Sequence, residues 1–410
     1  MTDTAFAAVE LAPKDPILGV TESFKADTRP GKTNLGVGVY TDENGKIPLL
    51  GSVRSAEKLV YESAMPRGYL PIDGLNGYLE QVQFLLFGEG SKVLQDGRVA
   101  TFESLGGTGA LKVGADFLHR LLPNARALIS NPSWENHRAI FEFAGFEVAQ
   151  YDYYAPAKHD VDLAGMLASL RAANEGDVVV LHVCCHNPTG VDLNEAQWRE
   201  VAAVCAERHL MPFLDMAYQG FAEGIQEDSV ALRVFVEAGL SLLVSSSFSK
   251  SFSLYGERVG ALSIVTQSAD ETKRVTSQVK RVIRSNYSNP PTHGASVVAA
   301  ILATPALRAQ WEQELGHMRT RIKAMREGLV SRLDALMEQH GIKRSFAFIA
   351  AQRGMFSFSG LTAEQVAHMQ EHAGIYAISS GRICLAAVND QNIDAVAQAM
   401  ANAIVALPQA

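Results

Sequence analysis

Five short apolar runs punctuate the middle of the chain: Ala127 to Ser130, Asp177 to Val183, Met211 to Asp215, Ser241 to Ser246 and Gly260 to Val265. None alternates apolar with polar residues. A strand with one face in water has to alternate, so these runs read as strands covered on both faces. Longer stretches with helical spacing lie between them, at Gly109 to Leu122, Asn194 to His209 and Ser229 to Ala238. Strand and helix in alternation, with both strand faces buried, predict an α/β domain built on a mostly parallel sheet.

The pattern changes after Thr304. Thr304-Pro305 predicts a helix start, with threonine at the cap and proline in the first turn. Leu307, Trp311, Leu315, Met318, Ile322, Met325, Leu329, Leu333 and Leu336 then recur three or four residues apart. They form one apolar stripe on a helix of roughly 30 residues, about 45 Å long. Such a helix can join two domains. Beyond it, strands near Met355 to Ser359, Ile375 to Ile378 and Arg382 to Leu385 mix with helices near Thr362 to His372 and from Asp390. A smaller α+β domain is expected there, joined by Asn34 to Tyr40 as a further strand candidate.

Composition narrows the function classes. Hydrophobic residues make up 47% and charged residues 20%, with a net charge of −8. No basic stripe is present to neutralise a phosphate backbone, which argues against nucleic acid as a partner. The four cysteines are too few and too scattered for a disulfide framework, so reduced thiols are expected. No run approaches the ~20 apolar residues of a membrane helix. Met1 to Phe6 has no basic stretch followed by an apolar one, so no secretion signal is read and the cytoplasm is expected.

Several short segments can carry chemistry. In Leu243 to Phe252 an apolar strand runs into serines that flank Lys250. An isolated lysine in a polar loop is usually a solvated surface group. A lysine at the carboxyl end of a parallel sheet, where α/β proteins bind ligands, can instead form a Schiff base with an aldehyde. Ser247 and Arg258 are near enough in sequence to hold a phosphate on the same ligand. Asp215 closes another apolar strand, with Tyr218 three residues on. An acid there is often a turn residue. It can also face a pyridine nitrogen and keep it protonated.

Gly106-Gly107-Thr108-Gly109-Ala110 opens a helical stretch, where backbone N–H groups can meet a phosphate. A dinucleotide fold is disfavoured, because the spacing is not G-x-G-x-x-G and no clear apolar strand precedes it. His182, Cys184, Cys185 and His186 invite a zinc reading. Adjacent cysteines on a strand would point to opposite faces, which disfavours it. Asn187 before Pro188 reads instead as a side chain set to reach a ligand. Arg382, after Gly381, and Arg284, before Ser285 to Pro291, are candidates for carboxylate recognition.

Together these segments resemble the class I pyridoxal-phosphate (PLP) aminotransferases, in the aspartate and aromatic amino-acid subgroup. The resemblance runs through Asn34 to Tyr40, Tyr69 to Gly74, Gly106 to Ala110, Asn131 to His137, Cys184 to Gly190, Asp215 to Phe221, Ser247 to Gly260, Tyr287 to Gly294 and Gly354 to Gly360. It implies a large PLP-binding domain over 45–314, a small domain over 15–44 and 315–410, and an N-terminal arm over 1–14. It also implies a homodimer with shared active sites. Lys250 would hold PLP and shuttle the proton, Asp215 would pair with the ring nitrogen, and Asn187 and Tyr218 would contact the phenolic oxygen. Trp134 would stack on the ring. Gly107, Thr108, Ser247 and Arg258 would hold the phosphate, with Tyr69 from the neighbouring subunit. Gly38 and Arg382 would meet the substrate α-carboxylate, beside Trp134 and Asn187. Arg284 of the neighbour would meet a side-chain carboxylate. No metal is implied.

The resemblance divides on substrate. Trp134 to His137, Ala110 to Asp116 and Phe252 to Arg258 resemble the aromatic branch, whereas Val39, Thr108 and Asn289 resemble the aspartate branch. The expectation is an aminotransferase acting on tyrosine, phenylalanine or aspartate with 2-oxoglutarate. The alternative is an aspartate-centred enzyme with little aromatic activity. Other rivals are a PLP β-eliminase or decarboxylase, a ligand-sensing domain of a transcription regulator, and a dehydrogenase.

Overall fold

The computed structural model describes residues 4, 6–12, 16–64, 66 and 68–408. Part of the predicted arm, residues 1–3, 5, 13 and 14, lies outside them. Seven strands form the central sheet: β1 (Val99–Leu105), β2 (Arg126–Asn131), β3 (Glu147–Asp152), β4 (Val178–His182), β5 (Met211–Met216), β6 (Leu242–Ser247) and β7 (Val259–Val265). Their order is β1-β7-β6-β5-β4-β2-β3, and every pairing is parallel except those of β7.

Burial on both faces explains the unbroken apolar runs. Val178 and Val180 face one core with Phe213, Leu243 and the helices Gly106–Leu121, Glu135–Glu142 and Ala269–Asn286. Val179 and Leu181 face the other, with Leu214, Val244 and the helices Glu195–Glu207 and Val230–Glu237. Successive residues point to opposite sides of a strand, so a doubly covered strand has no place for a solvated side chain.

The long helix spans Pro305–Gln339, 35 residues. Trp311, Leu315, Met318, Ile322, Leu329 and Leu333 are buried along it, as its stripe predicts. Thr304 makes no side-chain cap bond, so proline in the first turn carries the start alone. Arg326 is also buried on this helix. Its guanidinium donates to the carbonyls of Ile349, Gly354 and Phe356 and to Ser357 Oγ.

Two small pairings lie beyond the sheet. Thr33–Asn34 runs parallel to Ile375–Tyr376, and Phe356–Phe358 runs antiparallel to Arg382–Cys384. The expected strand from Asn34 to Tyr40 is thus a correction: it ends at Asn34. Past that point the chain leaves the pairing so that Gly36 and Gly38 can turn toward other partners. A Cβ on Gly38 would come within 2.7 Å of the Phe356 ring.

Candidate active site

The carboxyl ends of the parallel strands share one edge of the sheet, and a cavity of about 460 Å³ opens there. Because β7 runs the other way, the loop 248–258 leaves β6 and returns at this same edge. Lys250 and Arg258 therefore stand on one loop whose two ends are adjacent strands. Gly38, Gly107, Thr108, Trp134, Asn187, Asp215, Tyr218, Ser247, Lys250 and Arg258 all line the cavity. Tyr69, Arg284 and Arg382 do not.

Asp215 sits near the end of β5 in register with His182, the last residue of β4. His137 Nε2 lies 3.0 Å from Asp215 Oδ2, and His137 Nδ1 lies 3.0 Å from Ser133 Oγ. Burial works against the Asp215 charge. The hydrogen bond from His137, with the charges of His137 and Lys250, outweighs it and holds the carboxyl below its ordinary range. Asp215 is therefore a buried anion at neutral pH. Burial, with His137 beside it, pushes His182 down to about 3, so His182 is a neutral ring there.

Lys250 Nζ stands 4.9 Å over the Tyr218 ring. Burial lowers its amine to about 8, against the attraction of Asp215 and with help from Arg258. An amine in that range is partly neutral near physiological pH, and its neutral fraction can act as a base. Burial pushes the Tyr218 hydroxyl far up, so it stays protonated and able to donate.

One end of the cavity is built for an anion. The helix Gly106–Leu121 begins here, earlier than the predicted Gly109. Its first backbone N–H groups have no partner within the helix. The preceding segment is also a correction, since β1 runs into Gly106 directly. Its polar residues hid it: Thr101, Glu103 and Ser104 are buried, and Thr101 Oγ1 lies 3.0 Å from Ser263 Oγ. Close packing forces glycine at this turn. Gly106 has φ +67, and a Cβ there would lie 2.5 Å from Arg258 Nη2. On β7, a Cβ at Gly260 would lie 2.4 Å from the Gly106 carbonyl carbon. Among the described residues, the Arg258 guanidinium reaches only neutral acceptors, Ser249 Oγ at 3.3 Å and the Tyr255 carbonyl at 3.0 Å. A cation beside a helix N-terminus, with Ser247 adjacent, suits a phosphate.

Arg382 is 1% exposed, an unusual burial for arginine. It donates to Asn187 Oδ1 at 3.0 Å and to the Gly36 carbonyl at 2.7 Å, and its guanidinium lies 4.4 Å over the Phe356 ring. Its Nε has no partner. Arg382 is thus joined to the cavity through Asn187. Tyr69 is 96% exposed and lines a separate cavity of about 430 Å³ with Tyr287, Ser288 and Asn289. Arg284 is exposed at the end of its helix and donates to Ser288 Oγ.

The sequence pointed to no role for His137, Ser249 or Tyr255, and to His182 only as a disfavoured zinc ligand. Ser249, Tyr255 and His182 line the cavity, as do Leu111 and Ala217. Two signals were available: His137 is three residues past Trp134, on one helix face, and Ser249 belongs to the same serine run as Ser247. The two adjacent cysteines do not lie on a strand, contrary to expectation. Cys184 and Cys185 lie past the end of β4, and Cys185 has φ 51. Off the strand, the two thiols share a side, within 4.8 Å of each other and of an Asp228 carboxylate oxygen. That carboxylate already accepts four backbone N–H groups, from Gly220, Ala222, Glu223 and Gly224.

The chain is similar to known proteins over nearly its whole length. The family described as aminotransferase class I and II matches residues 30–400. An aspartate aminotransferase of Pseudomonas aeruginosa is 61% identical over 395 residues, 96% of this chain and 98% of that protein. An aromatic-amino-acid aminotransferase of Escherichia coli is 49% identical over 399 residues, 97% of this chain and 99% of that protein. The crystal structure of an aromatic-amino-acid aminotransferase from Burkholderia pseudomallei, covalently bound to pyridoxal phosphate, superposes with a TM-score of 0.95 at 62% identity, covering 98% of this chain and all of that one. The chain belongs to the class I and II aminotransferase family, in the subgroup of aspartate and aromatic amino-acid aminotransferases.

Proposed function

We propose that this protein is a PLP-dependent transaminase that moves an amino group between tyrosine, phenylalanine or aspartate and 2-oxoglutarate. The observation that carries this is the placement of the Lys250 amine and the ionised Asp215 on one cavity, beside an anion cradle of Gly107, Thr108, Ser247 and Arg258. These residues fit PLP: the cradle suits its phosphate, Asp215 its ring nitrogen, Asn187 and Tyr218 its phenolic oxygen, and Trp134 its ring face. When bound, PLP supplies an electrophilic aldehyde and a protonated ring that accepts electrons.

The chain's own groups do the rest. In its neutral form, whose share grows as the pH rises through about 8, Lys250 Nζ takes the proton from the donor's α-carbon and passes it to the carbon that was the cofactor's aldehyde. Asp215 keeps the negative charge that holds a proton on the ring nitrogen. Arg382, fixed by Asn187 and Gly36, receives the α-carboxylate with Gly38 at its side. Arg284 and Tyr69 act from the partner subunit of a homodimer. Their exposure in the single chain supports that assignment, as do the exposed Ile47, Leu49 and Tyr61. On the proposed division, the small domain (15–44 and 315–410) supplies Gly38 and Arg382 to the site, and the large one (45–314) supplies Lys250 and Asp215. Four free, buried cysteines support a reducing compartment, the cytoplasm. No helix among the described residues is long and apolar enough to cross a membrane.

The testing experiment is an absorption spectrum of the protein supplied with PLP, taken before and after tyrosine and then aspartate. A visible band that bleaches with both donors supports dual specificity. Bleaching with aspartate alone favours the aspartate-centred enzyme, and no band at all overturns the assignment of Lys250. Parallel double-reciprocal initial-rate lines are expected when the amino donor is varied at several fixed levels of 2-oxoglutarate, and intersecting lines would contradict the shuttle of one amino group through the enzyme.

A further inference from the structure

Tyr255 joins two parts of the cavity wall. Its Oη accepts the Tyr40 N–H at 2.9 Å, and its carbonyl accepts from Arg258 Nη1 at 3.0 Å. The residue itself lines the cavity. One side chain thus links the loop of Lys250 and Arg258 to the segment that carries Gly38.

That segment is held from its other side by groups remote from the loop. The Arg321 guanidinium lies 4.8 Å over the Tyr40 ring and donates from Nε to Tyr40 Oη at 2.9 Å. It also donates to the carbonyls of Val388 at 2.8 Å, Ala386 at 2.9 Å and Thr41. Arg382 holds the Gly36 carbonyl. Residues 36–41 are therefore fastened to the C-terminal part of the chain, and Tyr255 fastens them to the cofactor loop. Further along, Ser253 Oγ donates to the Pro48 carbonyl at 2.8 Å, outside the cavity lining.

We propose that Tyr255 is a positioning residue whose hydroxyl latches the segment from Gly36 to Thr41 onto the Lys250–Arg258 loop, holding the substrate-carboxylate side of the cavity in its binding arrangement. The inference rests on the transaminase reading above. A ligand's apparent affinity falls by the fraction of protein in the competent arrangement. Removing one hydrogen bond of ordinary net worth changes such a population about threefold to tenfold. The phosphate cradle does not use the hydroxyl, so cofactor affinity is independent of the latch.

Tyr255→Phe keeps the ring and removes the acceptor. In the holoenzyme, KM for tyrosine, aspartate and 2-oxoglutarate should each rise about threefold to tenfold, while kcat and the PLP dissociation constant stay within about twofold. Hydrogen exchange at the Tyr40 amide should quicken in the same variant. Unchanged KM values overturn the latch. So does a PLP dissociation constant that rises along with KM, because that marks general damage to the loop. If the variant does not fold, the wild-type holoenzyme decides: the Tyr40 amide should be protected and become more so with a bound dicarboxylate, and an amide indifferent to that ligand overturns the proposal. A wild type that neither binds PLP nor transaminates defeats the functional reading itself. An active wild type matched by Tyr255→Phe defeats only the latch.

Discussion

His137 Nε2 stands 3.0 Å from Asp215 Oδ2, with both side chains buried. This contact keeps a carboxylate charged where burial alone would neutralise it. A group with a depressed folded pKa stays charged until the pH falls through that value. Removing the partner lets burial raise the Asp215 pKa, so the charge is lost at a higher pH. His137→Phe should therefore move the acid limb of the kcat/KM profile upward and lower kcat/KM about 10- to 100-fold at neutral pH. A profile that overlays the wild type would show that Asp215 does not depend on His137.

Lys250 gives the opposite limb. With its amine lowered to about 8 by burial, the neutral fraction grows as the pH rises through that value. The rate of the first half-reaction, followed in single turnovers, should climb with pH and level off above about 8. Lys250→Arg cannot supply a neutral base and should lose at least about 10²-fold in that rate. A rate that falls with pH across this window would exclude Lys250 as the base.

Arg258 has no carboxylate partner among the described residues, so its charge is available to a ligand. Arg258→Ala should weaken PLP binding about 10- to 100-fold in a fluorescence titration, since hydrogen bonds to charged groups are the stronger kind. An unchanged titration would place the phosphate elsewhere.

The two arginines proposed to bind substrate should separate by which ligands they affect. Arg382→Lys loses the planar guanidinium that spans Asn187 and Gly36, and should cost kcat/KM about 10²-fold for tyrosine and aspartate alike. Arg284→Ala should spare tyrosine and penalise aspartate and 2-oxoglutarate. Steady-state kinetics with the three substrates reads both. Equal losses from Arg284→Ala would remove it from side-chain recognition.

A mixture of inactive variants tests the shared site. Lys250→Ala and Arg284→Asp homodimers should each be inactive toward aspartate. Subunit exchange between them should restore activity, because one site in each hybrid then has both residues intact. No recovery in a demonstrated hybrid would assign Arg284 to its own subunit's site.

Legibility in the sequence followed burial. The runs that became β2, β4, β5, β6 and β7 stood out because two buried faces leave almost no solvated positions in them. The edge strands were hidden: β1 carries the buried Glu103 and Ser104, and β3 exposes Glu147, Gln150 and Asp152. Arg326 interrupts the stripe of the long helix, and its reason is four acceptors lying 23 to 31 residues away. The cavity residues were legible through short motifs. The pairing of Asp215 with His137 spans 78 residues. It depends on how the helix Glu135–Glu142 is set against β5, which no local pattern encodes.

The contact between Gly260 and Gly106 has a consequence for inheritance. These positions are far apart in the chain, yet a Cβ on Gly260 would press on the Gly106 backbone, so Gly260 cannot gain a side chain while Gly106 keeps its place. Gly260 lines no part of the cavity. Yet a substitution there would lift the turn that starts the phosphate helix, and would surface as a defect in holding the cofactor. Among descendants of this chain, Gly260 should drift as little as Lys250, for a reason that is wholly steric.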